Sequence, residues 1–123
     1  MKIDFISSGA LDAPLIRLFT AKKDEIEELQ SMLLKLINNE TNEINISELP
    51  ISESKIKLIF KTNKSDLSIK SNKDKNEFKL ELSKDKYFEI KEKLDPFLTN
   101  QNGFTWLNDT GSISLLFTTD GKW

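Results

Sequence analysis

The chain has 123 residues, 37% of them hydrophobic, a net charge of −2, and neither histidine nor cysteine. That double absence excludes a Ser-His-Asp triad, a Cys-His dyad, a dithiol redox centre and the usual zinc sites, because these use imidazole or thiolate. The length fits one domain that buries a core without disulfides, and eight Phe and two Trp supply large apolar areas.

Lys2 to Ser7 sets Ile3 and Phe5 against Asp4 and predicts a strand. Asp4 comes too early for a signal-peptide core, and no apolar run approaches membrane-spanning length, so a cytoplasmic protein without a membrane segment is expected. A loop over 8–14 leads to a second strand, Leu15 to Phe19, read as the hairpin partner of the first. Asp24 to Asn38 is the clearest helix: Ile26, Leu29, Leu33, Leu36 and Ile37 form one stripe, and acids fill the first turns where they favour the helix dipole. Thr20 is a candidate cap, Lys22 or Lys23 an alternative start, and Asn38-Asn39 the stop.

Ile44 and Ile46 mark a short strand closed by Glu48-Leu49-Pro50. Three strand patterns follow, over Lys55–Thr62, Asp66–Lys70 and Glu77–Leu82, joined by turn-rich segments and read as an antiparallel meander with one wet face. Ser83 caps a second helix with the stripe Tyr87, Ile90, Leu94 and Phe97, and Pro96 ends or kinks it. Phe104–Leu107 and Ser112–Thr118 make a final hairpin. The fold class is therefore α+β: a single domain over 1–123, with a mostly antiparallel sheet of seven or eight strands packed by two helices.

Charge is unevenly placed. Residues 1–54 carry −5, residues 55–93 carry +5, and residues 94–123 carry −2. Lysines on exposed strand faces keep a sheet soluble and block edge pairing, which is the simplest account of the basic stretch. Lysine outnumbers arginine seventeen to one and valine is absent, a bias of codon usage and not of function.

No motif carries catalysis. Asp109-Thr110-Gly111 and Asp120-Gly121 have the chemistry of tight turns and lack the spaced oxygen ligands of a calcium loop. Lysines and aromatics fall in different segments, which argues against nucleic-acid binding by stacking. Trp106 and Trp123 are read as core residues beneath the helices; the competing reading makes them contact residues, since Trp is enriched in interfaces. Arg17, the one arginine, sits between Ile16 and Leu18 and either binds an anionic group or pairs with a nearby acid.

The segments Pro14-Leu15-Ile16-Arg17-Leu18-Phe19, Glu48-Leu49-Pro50, Asp95-Pro96-Phe97, Gly103-Phe104-Thr105-Trp106-Leu107 and Ile113-Ser114-Leu115-Leu116 through Asp120-Gly121-Lys122-Trp123, in that order, resemble a family of small uncharacterised bacterial proteins ending in Ile-Ser-Leu-Leu…Asp-Gly-Lys/Arg-Trp. The resemblance implies that Trp106, Asp120, Gly121 and Trp123 belong to one pattern. It implies no activity and no catalytic residues.

The expectation is a non-enzymatic, protein-binding domain without cofactor or metal and without nucleic-acid or membrane partners. Its concrete form is an immunity-type protein that neutralises a bacterial toxin. The candidate contact residues toward a basic partner are Arg17, Glu27, Glu28, Trp106, Asp109 and Asp120. The rivals are a small-molecule-binding domain or small enzyme using carboxylates, lysines and Arg17, and a structural accessory domain. A deep pocket holding Arg17 with two acids would favour the ligand reading; a flat patch of acids and aromatics would favour the binder.

Overall fold

Alternation of Ile3 and Phe5 with Asp4 produces strand β1 (Lys2–Ile6), and β2 (Leu15–Phe19) returns antiparallel to it with Ile3 opposite Leu18 and Asp4 opposite Arg17. The computed structural model describes residues 1–7, 14–49, 52–99 and 102–119. Helix α1 (Lys23–Ile37) begins after Lys22, which makes no side-chain cap. Thr20 stands just outside: its hydroxyl accepts from the Lys22 N–H and donates to Glu25 Oε1. The helix stops where Asn39 takes a φ of 63°, a left-handed conformation that Asn tolerates.

The chain continues through β3 (Glu43–Asn45), a 3-10 turn (Ile46–Glu48) capped by the Asn45 side chain, and the two-residue β4 (Glu53–Ser54). Next come β5 (Lys57–Thr62), β6 (Ile69–Ser71) and β7 (Glu77–Leu82). Helix α2 (Lys84–Leu94) is capped by Ser83, whose hydroxyl accepts from the Lys86 N–H. It tightens at Asp95–Leu98 into a 3-10 turn carrying Pro96. Strands β8 (Phe104–Asn108) and β9 (Ser114–Thr118) form the last hairpin.

The α+β class and both helices are present, but the nine described strands divide between two sheets, one in the order β4-β1-β2-β9-β8 and the other β3-β5-β7-β6. Both are mixed, and both use one device. In the first, β9 slots between β2, to which it is parallel, and its antiparallel hairpin partner β8. In the second, β7 slots between parallel β5 and antiparallel β6. The central meander is therefore absent. The Asn63 and Leu67 N–H groups bond the Leu82 and Glu81 carbonyls at the end of β7, which carries the chain past β7 before β6 begins. Period-two alternation had specified the faces of these strands and not their neighbours.

Each helix crosses between the sheets: α1 leads from β2 to β3, and α2 from β7 to β8. One apolar cluster joins all the layers, with Ile3, Ile16, Leu18 and Phe117 from the first sheet, Leu58, Phe60, Phe78 and Leu80 from the second, and Leu29, Leu33, Tyr87 and Ile90 from the helices. Phe5 and Phe78 link the sheets with ring centroids 4.8 Å apart, and Phe97 meets Phe117 edge-on at 5.0 Å. The other face of the four-stranded sheet is wet. There Lys57 pairs with Glu77 at 3.8 Å and Lys79 with Glu43 at 3.7 Å, so part of the lysine-rich stretch is balanced by acids on the same face.

Candidate functional site

Three groupings of polar side chains stand out, and the first lies between the helices. On α1, Glu27, Gln30 and Leu34 fall at i, i+3 and i+7 and share one stripe; on α2 and its C-cap, Phe88, Lys91 and Asp95 do the same. Gln30 Nε2 donates to the Lys91 carbonyl at 2.9 Å and to Asp95 Oδ1 at 2.7 Å. That contact ties the middle of α1 to the C-terminal end of α2. Leu34 and Phe88 are 37% and 46% exposed and, with Phe104, are the large apolar side chains most open to solvent among the described residues. Glu27 and Asp95 are exposed, and Asp95 stands at the carbonyl end of α2, where the helix dipole adds negative potential.

The second grouping is on the face of the five-stranded sheet turned away from the core. Strand register sets Asp4, Arg17, Leu116 and Trp106 in one transverse row. Arg17 Nη2 bonds Asp4 Oδ2 directly across the strand pair, the simpler of the two roles open to it from sequence. Trp106 is half-buried and meets Phe104 edge-on at 6.5 Å. It is therefore not in the core beneath the helices: pairing with Leu116 turns it outward, while Leu107, Leu115 and Phe117 turn inward. Beside Arg17 lies an open cleft of about 390 Å³ that also holds Asp4, Glu53 and lysines 2 and 55. It has the arginine and two acids, but it is a depression and not a deep pocket.

The third is a smaller cleft of about 90 Å³ between α2 and the β8–β9 turn. The β8–β9 register shifts between Trp106 and Asn108, and this bulge lets both Leu107 and Asn108 face inward. Asn108 is 9% exposed; its Oδ1 accepts from the Thr110 hydroxyl at 3.0 Å, and its Nδ2 has no hydrogen-bond partner. Gly111 holds the turn with a φ of +86°, so close to the segment before β6 that a Cβ there would fall 2.3 Å from Ser68 Cβ. Across the cleft, Asp66 accepts from the Ser83 N–H at 2.8 Å, and that bond holds its carboxyl below the usual range.

The structure thus brings Arg17 and Trp106 into one row and separates them from the other candidates. Glu27 faces the α1–α2 seam, whereas Glu28 is half-buried on the flank of α1 away from α2. Asp109 lines the small cleft. Asp120, with Gly121 and Trp123, lies outside the described residues. Sequence reasoning passed over Leu34, Phe88, Asp95 and Asn108. The shared i, i+3, i+7 spacing of the two helical stripes was readable, but not the Gln30 contact with Lys91 and Asp95 that joins them, and nothing local announces the bulge at Asn108. Among the described residues no three acidic side chains converge as a metal site would need, and no helix is long and apolar enough to cross a membrane. Comparison with protein-family models, curated proteins and solved structures found no match.

Proposed function

We propose that this is a non-enzymatic protein-binding domain whose α1–α2 face docks a partner with a basic surface, in the concrete form of an immunity-type protein that neutralises a bacterial toxin. The observation that carries this is the make-up of the two stripes that Gln30 joins: each helix exposes a large apolar side chain, Leu34 or Phe88, and, seven residues along the same stripe, an acid, Glu27 or Asp95. Seven residues separate the two ends along α1, about 10 Å at the helical rise. A partner presenting an apolar side chain and a Lys or Arg at that spacing buries the first and pairs the second. Acidic steering speeds such an encounter. The toxin-neutralising form rests on analogy with small domains that lack catalytic motifs. The ligand-binding alternative rests on the open cleft beside Arg17, and it is the weaker reading because that guanidinium already bonds Asp4.

The test places a photo-crosslinking amino acid at Phe88 in native cells, with Phe104 as the control position. A single basic protein captured at 88, absent at 104 and lost with Glu27→Lys, is the expected result. Capture at 104 but not at 88, or capture that survives Glu27→Lys, overturns the assignment.

A further inference from the structure

Strand β1 is paired along its whole length on one side only. There β2 covers all five residues, whereas on the other side β4 runs parallel to it and reaches only Lys2 and Ile3. The Glu53 N–H bonds the Met1 carbonyl at 2.8 Å, and strand alternation then turns the main-chain groups of Ile3 and Phe5 the same way. Ser54 ends β4 at that point. Its hydroxyl takes both main-chain groups of Ile56, 3.1 Å from the N–H and 2.6 Å from the carbonyl, and the chain bends away toward β5. Phe5 is thus left without a strand partner on that side among the described residues. The vacated lane is an open cleft of about 360 Å³ lined by Ile3, Asp4, Phe5 and Ile6 together. Consecutive strand side chains turn to opposite faces, so a cleft that touches all four runs along the strand's edge.

Charge decides what fits there. The opposite wall carries Lys55 and Lys75, both exposed and neither in an ion pair among the described residues, while the one acid, Asp4, is engaged by Arg17. Lys75 is also held in place. It takes a φ of 55°, a strained conformation for lysine, in a turn that Asn72 closes by accepting from the Asn76 and Glu77 N–H groups at 3.1 Å. We infer that the open edge of β1 at Phe5 is a docking site for an extended acidic segment of a partner protein. The segment adds as a strand in the lane that β4 vacates: its main chain bonds the Phe5 N–H and carbonyl, and its carboxylates meet Lys55 and Lys75. A second copy offers the same edge with the same lysines, and like charges disfavour that pairing. The site draws no residue from α1 or α2 and is independent of the docking face proposed for them.

The probe is the peptide acetyl-Asp-Val-Asp-Val-Asp-Val-amide, titrated into ¹⁵N-labelled protein while the Phe5 backbone amide is followed by NMR. Two controls run beside it: the same peptide with Lys in place of Asp, and the acidic peptide with every backbone amide methylated. The acidic peptide should shift the Phe5 signal saturably and slow its hydrogen exchange, with both controls at least tenfold weaker. Lys75→Gly removes the charge and suits a positive φ, so it should weaken binding at least fivefold without lowering the melting temperature. Lys55→Gln, at an exposed position outside that turn, should weaken it likewise. Equal binding of either control peptide, or undiminished binding in both lysine variants, overturns the inference. A Phe5 shift that grows with protein concentration in the absence of peptide also overturns it and gives the edge to a second copy.

Discussion

Gln30, in the middle of α1, donates 2.7 Å to the carboxylate of Asp95 at the end of α2. The same nitrogen reaches the Lys91 carbonyl, so one 8%-exposed amide ties the middle of α1 to the end of α2. The proposed docking face lies along the seam that this contact joins.

Replacing Gln30 by Leu keeps the volume and removes both bonds. A buried bond to a charged acceptor contributes about 1.5–3 kcal/mol, and Asp95 is exposed enough to recover part of that from water. Urea unfolding should show a loss of about 1–2 kcal/mol with an unchanged slope. An unchanged midpoint would mean that apolar packing alone holds the helix pair in register.

Phe88 should behave in the opposite way. It is 46% exposed, so Phe88→Ala should change stability by no more than about 0.5 kcal/mol. Loss of a central aromatic contact weakens an interface by about 2 kcal/mol or more, over tenfold in Kd, once the partner is in hand. Calorimetry on the free domain and on the complex separates the two quantities.

Gly111 packs the β8–β9 turn against Ser68, just before β6. Gly111→Ala meets Ser68 and must adopt a positive φ, and strain of that kind costs about 1–3 kcal/mol. Adding Ser68→Gly removes the collision and leaves the backbone cost, so the double variant should recover part of the loss. Additive losses in that double-mutant cycle would show that the two residues are not in contact.

Tyr87 is the protein's one tyrosine, so ultraviolet titration reports on it alone. It is fully buried, with its hydroxyl 2.6 Å from the Lys61 carbonyl and 2.9 Å from the Leu80 carbonyl. Burial pushes its ionisation well above the ordinary value of 10.0. Because the folded state favours the neutral phenol, this contribution to stability is complete below pH 10.0 and is lost as the pH rises past it. No phenolate absorbance should develop near pH 11 while the fold persists, and its appearance should coincide with loss of helical circular dichroism. A normal titration in folded protein would place Tyr87 at the surface.

Faces and ends of elements were legible in the sequence. Ile3 and Phe5 against Asp4, Leu58 and Phe60 against Lys57, and Phe78, Leu80 and Leu82 against Lys79 were all read onto their observed sides, because a strand's two faces follow from period two alone. Asn39 and Ser83 marked helix ends because their local hydrogen bonding acts within a few residues. What only the tertiary structure decided was which strands are neighbours, how high one helix stands beside the other, and where Trp106 and Asn108 point. Insertion of β7 beside β5, the Gln30–Asp95 contact and the bulge before Asn108 join residues far apart in the chain or break the local rhythm. Alternation is a property of a single segment, whereas pairing order and register arise only when segments compete for one shared core.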